Sequence, residues 1–509
     1  MICFFITKRV NNLSFELFAE PLFEKVSFTI KRGDKIGLVG PNGAGKTTIL
    51  KIILDQLEPD EGSVKIENEK LGYLSQELPF QPNDTVGGFL GFSDKAKIQN
   101  ALSKVSLNAP VSFSVNGEQK QIRATEKLDE SFRVSSLSGG QKTKLALAKI
   151  LLTRPTILIL DEPTNHLDFR GLEWLEKFVN GYSGGVLVIS HDRRFLDNTV
   201  NKILELDRVN NRFAEYSGNY TDYMISKEKQ IARWDDEYEK QQKHKRRLEL
   251  WLALKKQEAS MGGDRKKGKQ IRAMEKRLQR EVYSDELKKP KTEKAIKNLD
   301  FGGSVHSDKL ILRLENIHKK FGNKEVLKGV SFELRGKDHV LLRGENGSGK
   351  TTIIKIINGL IKPDSGEIKF GKSVNLGYFA QEHEVLDFEK NIEEEFLSTP
   401  RLKKLDKDSR KILGAFLFSG SDVFKKVSSL SLGERVRLIF AKLTNQQNEL
   451  LVLDEPTNHL DIFSREAIED ALTDYDGAIL MVSHDRYFLD KIKLNRIFEL
   501  ENGITSELY

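Results

Sequence analysis

Residues 157–168 read Ile-Leu-Ile-Leu-Asp-Glu-Pro-Thr-Asn-His-Leu-Asp, and residues 450–461 read Leu-Leu-Val-Leu-Asp-Glu-Pro-Thr-Asn-His-Leu-Asp. In each, four consecutive apolar residues run into two acids. Such a run is the pattern of a strand buried on both faces, as in a parallel sheet between helix layers. Asp161 and Glu162, like Asp454 and Glu455, then stand where the strand leaves the sheet. Outward from there the copies keep step. Ser138 precedes Asp161 by 23 positions and Ser431 precedes Asp454 by 23, while His191 and His484 follow those aspartates by 30. Further upstream, Gly40-Pro41-Asn42-Gly43-Ala44-Gly45-Lys46-Thr47 matches Gly344-Glu345-Asn346-Gly347-Ser348-Gly349-Lys350-Thr351. The segment from Phe23 through His191 therefore has a counterpart from Leu327 through His484, and equal spacing throughout means two copies of one domain.

Each copy reads as α/β. Residues 35–39 form a short strand feeding the glycine loop, 48–54 continue as a helix, and 186–190 form a further buried strand. A glycine loop ending in Lys-Thr between strand and helix binds phosphate: glycines let backbone N–H groups turn inward, and the helix N-terminus adds positive potential. Lys46 and Lys350 would hold the terminal phosphates, with Thr47 and Thr351, followed by Thr48 and Thr352, placing hydroxyls at Mg²⁺ and the phosphates. One such loop can arise by accident; two in register with the same partners do not. Asp161 and Asp454 suit the metal's water shell, and Glu162 and Glu455 suit a base for the attacking water. Paired acids also fit a plain helix start, but the apolar strand before them and its repetition favour the catalytic reading. His191 and His484 could sense the γ-phosphate, although a lone histidine there is more often structural. Gln76 in GYLSQE and Gln381 in GYFAQE take the place of a residue meeting Mg²⁺ and water. Leu137-Ser138-Gly139-Gly140-Gln141 and Leu430-Ser431-Leu432-Gly433-Glu434 start helices, so their donors point at an anion.

Composition narrows the setting. No apolar stretch approaches the ~18–20 residues of a membrane helix. The greasy start, MICFFITKRV, lacks a basic lead and cleavage site, and reads as a first strand. The only cysteine, Cys3, excludes an internal disulfide and suits a reducing, cytoplasmic setting. The net charge of +7 is uneven: residues 227–297 hold 23 Lys or Arg against 13 Asp or Glu, and outside them 59 basic residues face 62 acidic ones. Ile231, Trp234, Tyr238, Gln241, Lys245, Leu248 and Leu252 alternate steps of three and four, the spacing of a coiled-coil seam. Ile271, Met274 and Leu278 begin a second stripe that Pro290 would stop, and residues 261–268 read as the turn between. The linker is thus an antiparallel helical hairpin with a basic tip. A solvated spacer and an RNA-facing element both fit that composition. Residues 111–124, with Asn116-Gly117 at the turn, read as a β-hairpin inserted in the first copy.

With these motifs in order, both halves resemble ATP-binding cassettes over about residues 15–207 and 310–500. PTNHLD in each half, GNYTDY at 218–223 and the charged linker further resemble the ABC-F proteins. The resemblance implies two P-loop cassettes, 1–215 and 306–509, joined by a helical hairpin at 216–305. It implies ATP and Mg²⁺ as cofactors, and a single chain whose two cassettes pair head to tail. One site then combines Gly40, Asn42, Gly43, Gly45, Lys46, Thr47, Gln76, Asp161, Glu162 and His191 with Ser431 and Gly433. The other combines Gly344, Asn346, Gly347, Gly349, Lys350, Thr351, Gln381, Asp454, Glu455 and His484 with Ser138, Gly139 and Gly140. It also implies a ribosome as partner, met through rRNA and tRNA by the basic linker, and no membrane subunit. Ribosome protection against antibiotics is a competing role, as is the ATPase part of a transporter or a DNA-repair ATPase. Two departures stand out. Leu432 replaces a signature glycine beside the first ATP, which predicts unequal sites. For adenine stacking Phe321 serves the second half, but the equivalent position in the first is Leu17, leaving Phe15 or Phe18.

Overall fold

The computed structural model describes residues 7–508 apart from 18–19, 42, 67–69, 82, 92–98, 100–101, 104, 106–110, 116–117, 123–130, 166, 208–209, 211, 261–264, 280–300, 303–304, 381–385, 400–408, 458–459 and 461. Two α/β units repeat one plan around six-stranded sheets. In the first, strands Leu71–Leu74, Ile157–Asp161, Gly185–Ile189, Lys35–Val39, Lys202–Asp207 and Arg212–Ser217 lie side by side in that order. In the second the order is Leu376–Phe379, Leu450–Asp454, Ala478–Val482, His339–Arg343, Arg496–Glu501 and Ile504–Leu508. All neighbours pair parallel except the last two strands of each sheet.

Burial on both faces explains the unbroken apolar runs. Every residue of Ile157–Asp161 is buried, and alternate side chains enter different cores. Ile157 and Ile159 join the core beneath helix Lys46–Ile53 and the antiparallel strands Thr7–Leu17 and Glu20–Lys31. Leu158 and Leu160 join the core beneath helices Gly139–Leu152 and Phe169–Gly181. Leu450 and Val452 against Leu451 and Leu453 divide in the same way. The acids that end these strands therefore emerge at one edge of a sheet clamped from both sides. The strand Arg212–Ser217 closes the first sheet, while Phe301 and Val305 already pack into cores of the second unit.

Between the units, helix Tyr220–Ser260 runs 41 residues and helix Arg265–Leu278 packs against it. Each expected seam residue from Ile231 to Leu252 is at least partly covered, and Leu248 meets Leu278 and Met274. Of the turn expected over 261–268, Arg265 through Gly268 are helical, and 261–264 lie outside the described residues. The root is firm: Tyr220 and Tyr223 are buried in the first unit's core, and Thr221 donates through N and Oγ1 to Asp197 at 2.7 and 2.8 Å. Strands Val111–Val115 and Glu118–Ile122 form the separate antiparallel pair expected of the insertion.

Candidate active site

The glycine loops lead into helices Lys46–Ile53 and Lys350–Ile357, whose N-caps are Gly45 and Gly349 at φ 94° and 110°. Those angles suit glycine, and a Cβ on Gly45 would come within 2.9 Å of Leu22 and Phe23. With no side chain at the cap, first-turn N–H groups are left facing the cavity. The lysines fold back over their loops. Lys46 Nζ donates to the carbonyls of Gly40 and Pro41 at 2.7 and 3.0 Å, and Lys350 Nζ to those of Gly344 and Glu345 at 2.7 and 2.9 Å. The signature helices Gly139–Leu152 and Leu432–Thr444 are built differently. Ser138 with Gln141, and Ser431 with Glu434, form complete capping boxes.

Glu162 and Glu455 carry the same strain. Their φ values are 47° and 50°, sparsely populated for a non-glycine residue and held by Glu162 N donating to Ile189 O and Glu455 N to Val482 O. The carboxylates in turn accept from the backbone N of His191 and His484, each at 3.3 Å. The imidazoles approach from the side, His191 Nε2 at 3.4 Å from Glu162 and His484 Nε2 at 3.6 Å from Glu455. Burial pushes Glu162 up to about 7 and Glu455 up to about 8, with the neighbouring aspartate adding to the rise. That is the range in which a carboxylate works as a base near neutrality. Burial, with Lys350 nearby, depresses His484 to about 4, so it is neutral at pH 7.

One cavity of about 1940 Å³ joins both halves. Gly43, Gly45, Lys46, Thr47, Thr48, Gln76, Asp161, Glu162 and His191 line it from the first half. Asn346, Gly347, Gly349, Lys350, Thr351, Thr352, Asp454, Glu455, His484 and Phe321 line it from the second, and Gly139, Ser431, Leu432 and Gly433 supply the signatures. Gly40 and Gly344 take part through their carbonyls, whereas Ser138 and Gly140 stand outside the wall. Asn42 and Gln381 lie outside the described residues. The halves meet head to tail: Arg170 pairs with Glu345 of the opposite glycine loop at 2.6 Å, and Phe169 sets its ring against His484 at 5.3 Å.

A nucleoside triphosphate fits this arrangement. The volume is about twice the ~1,000 Å³ upper range of a single ligand pocket, as two bound nucleotides require. Among the described residues no cluster of three or more His, Cys, Asp or Glu is built to hold a metal alone. The hydroxyls and carboxylates of Thr47 with Asp161 and Thr351 with Asp454 are hard donors of the kind Mg²⁺ takes alongside phosphate and water. A family model described as ABC transporter matches residues 23–165 and 327–458, and a second of the same description matches 206–298. The ATP-binding protein YdiF of Bacillus subtilis is 37% identical over 98% of this chain and 80% of its own. ABC transporter F family member 5 of Arabidopsis thaliana is 36% identical over 95% of this chain and 73% of its own.

This chain belongs to the ABC-F family.

Also from Bacillus subtilis, the ribosome protection protein VmlR is 33% identical over 98% of this chain and 88% of its own. The solved archaeal ribosome recycling factor, in complex with a ribosomal stalk protein, shares the fold at TM-score 0.60 and 20% identity, covering 98% of this chain and 90% of that one. Like its relatives, this ABC-F chain is an ATPase built on two cassettes. Among the described residues no helix is long and apolar enough to cross a membrane.

Sequence reading missed what closes the ABC-F cassettes on each other. Arg193 meets Glu469 at 3.3 Å, and Arg486 pairs with Glu176. These are the same two positions exchanged, because a constant offset of 293 relates Arg193 to Arg486 and Glu176 to Glu469. Self-complementary pairing of this kind is what a two-fold-related interface produces. Comparing charges at equivalent positions of the two copies would have found it. Of the two aromatics expected for the first cassette, only Phe15 is among the described residues. Phe15 is stacked on Phe23 with centroids 6.2 Å apart and belongs to the core, Phe18 lies outside the described residues, and Leu17 itself lines the cavity.

Proposed function

We propose that this ABC-F ATPase acts in the cytoplasm on the ribosome, where ATP-driven closure of the cassettes sets the position of its basic hairpin against rRNA and tRNA. Lys46 and Lys350 would hold terminal phosphates; Thr47, Asp161, Thr351 and Asp454, with Gln76 and Gln381, would hold Mg²⁺. The metal and the signature residues of the opposite cassette supply charge stabilisation to the phosphoryl group when bound. Glu162 and Glu455 take the proton of the attacking water, and His191 and His484 keep those carboxylates aimed. The observation that carries the coupling is the root of the hairpin. Thr221 is bonded to Asp197, on the helix Arg193–Thr199 that begins two residues after His191. A movement at the γ-phosphate thus reaches the hairpin through one short helix.

The tip favours an RNA contact over a spacer. Arg265, Lys266 and Lys267 open helix Arg265–Leu278 with no acid in its first turn, where each cation costs about 0.3–1 kcal/mol against the helix dipole. A spacer gains nothing from that placement, whereas phosphate contacts offset it. Replacing Arg265, Lys266, Lys267 and Lys269 with Gln should leave ATP binding intact. It should lower ribosome affinity at least tenfold and flatten its salt dependence, by about 0.7–0.9 log units per lost phosphate contact. Co-sedimentation with ribosomes across a salt series, in a hydrolysis-dead background, reads both quantities. Unchanged affinity and slope would overturn the RNA reading of the hairpin. Ribosome protection against an antibiotic is the second reading, favoured by the likeness to VmlR. Ribosome binding whose affinity responds to a bound antibiotic would decide for it.

The signature departure carries its own expectation. Leu432 is 47% exposed, at the first turn of helix Leu432–Thr444, on the wall of the cavity that the Lys46 loop also lines. Leu432→Gly should raise steady-state ATPase about two- to fivefold by opening room for the γ-phosphate, more than substitution of Gly139 or Gly140 does. Equal or lower turnover would mean the leucine crowds nothing.

A further inference from the structure

We propose that Arg465, carried by the second cassette, is a positioning residue for the ATP site that Glu162 serves, and that among the described residues the site of Glu455 has no such partner. The inference rests on the reading of Glu162 and Glu455 as the two bases.

Arg465 is nearly buried, with 7% of its side chain exposed. Its fork spans both cassettes. Nη2 donates to the carbonyl of Thr457 at 3.0 Å, and Nη1 lies 3.2 Å from Asp485 Oδ2, both within its own half. The same Nη1 donates to the carbonyl of His191 at 2.7 Å, across the interface. That contact matters because of what His191 does at its other end. Its backbone N grips Glu162 Oε2, and its ring lies beside Oε1. Holding the carbonyl restrains the residue whose N–H and ring both meet the base, through the next peptide along, by a charge-assisted bond roughly twice as strong as a neutral one. Thr457 and Asp485 pre-orient the guanidinium, and Asp485 is itself anchored by the N–H of Phe488 at 3.1 Å. Only approach of the cassettes adds the third acceptor.

The other site lacks this device. By the constant offset of 293, the position equivalent to Arg465 is Leu172, a buried member of the first cassette's core. What reaches His484 instead is the Phe169 ring, with the Arg343 guanidinium 5.0 Å from its centre. An edge-on aromatic contact fills space beside the imidazole but offers the His484 peptide no donor. Closure is therefore read by a hydrogen bond at one site and by packing at the other.

Single-turnover hydrolysis with two ATP bound per chain tests the asymmetry. The parent should release both phosphates at rates set by its two bases. Arg465→Leu, which installs the residue found at the equivalent position, should release one phosphate at the parental rate and the other at least tenfold more slowly, with ATP affinity within twofold of the parent. In a Glu455→Gln background only the slow phosphate should remain; in a Glu162→Gln background the Arg465 substitution should change the rate less than twofold. Arg465→Lys, which keeps charge and a donor, should recover most of the lost rate. Equal slowing of both phosphates, slowing of the Glu455 site alone, or no slowing would each overturn the proposal. If Arg465→Leu fails to bind two ATP, Arg465→Lys decides by the same readout: slowing at both sites, or at neither, overturns it. If Glu162→Gln and Glu455→Gln alone each release both phosphates at the parental rate, it is the assignment of the bases that has failed.

Discussion

A chain carrying both Glu162→Gln and Glu455→Gln should bind two ATP and hydrolyse them at least a hundredfold more slowly than the parent, since a positioned general base contributes about 10²–10⁴ in rate. The amide keeps the size of the carboxylate and can still accept from the backbone N of His191 and His484, so the loops around it need not move. Turnover within twofold of the parent, by phosphate release, would remove both glutamates from the chemistry. The same chain makes a second statement through pH. Burial raises both carboxyls from an ordinary value of 4.5, to about 7 and about 8, so the native state retains protons that the unfolded chain has lost. Their contribution to stability is then most favourable below about pH 4.5 and declines as pH rises through 7 to 8. Gln is neutral throughout. Nucleotide-free thermal unfolding should therefore show the double variant gaining on the parent at pH 8.5 and gaining little at pH 5. A gain that does not grow with pH would mean that the carboxylates are solvated in the folded protein.

Arg193→Ala should be the most damaging single change at the interface between cassettes. Glu469 is fully buried, and the loss of Arg193 would leave it an ion pair with Lys491 at 3.3 Å and the more distant charge of Arg465. Breaking a buried pair by removing one partner costs about 3–5 kcal/mol, because the surviving charge stays desolvated. The pair joins the two halves, so most of that cost falls on the closed arrangement. A loss of even 3 kcal/mol there corresponds to about a hundredfold lower turnover at 1.36 kcal/mol per decade. The exchanged pair offers an internal comparison. Glu176 and Arg486 retain 13% and 12% side-chain exposure, so water can take up part of what Arg486→Ala leaves behind. Arg486→Ala should therefore cost less than Arg193→Ala, in both ATPase rate and the compaction on ATP binding seen by small-angle scattering. Parental activity in Arg193→Ala would show that closure does not depend on this pair.

The parts of this molecule that repeat were legible in its sequence, because two copies in register exclude coincidence. Strand burial, the glycine loops, the signature helices and the acids at the strand ends all followed from residue pattern. The coiled-coil seam followed from its three-four spacing, and even the polar Gln241 and Lys245 are partly covered along it. Apart from the exchanged Arg193–Glu469 and Arg486–Glu176 pairs, what escaped has no repeat and no local pattern. Arg465 sits where the other copy has Leu172, and only the fold brings it to a carbonyl 274 positions away. Leu17 lines the cavity because a bulged strand turns Phe15 inward onto Phe23, a register that alternation of apolar residues does not reveal. The hairpin's second helix begins at Arg265 although Gly268 follows, since one glycine costs a helix only about 1 kcal/mol and packing of Leu278 and Met274 outweighs it.

The long helix Tyr220–Ser260 is mechanically a lever with a very short arm on one side. Its fulcrum is Tyr220 and Tyr223 in the cassette core, and the force enters there, at Thr221 between them, through the bonds to Asp197. At 1.5 Å per residue its 41 residues span about 60 Å, so each degree of tilt at the fulcrum sweeps the far end by about 1 Å. A five-degree tilt at the root would be a displacement of about 5 Å at the far end, close to one helical turn. Gain of that size runs both ways. On the proposed function, a load on the far end would act back on the root over the same arm, so the surface that the hairpin met would bias whether the cassettes shut.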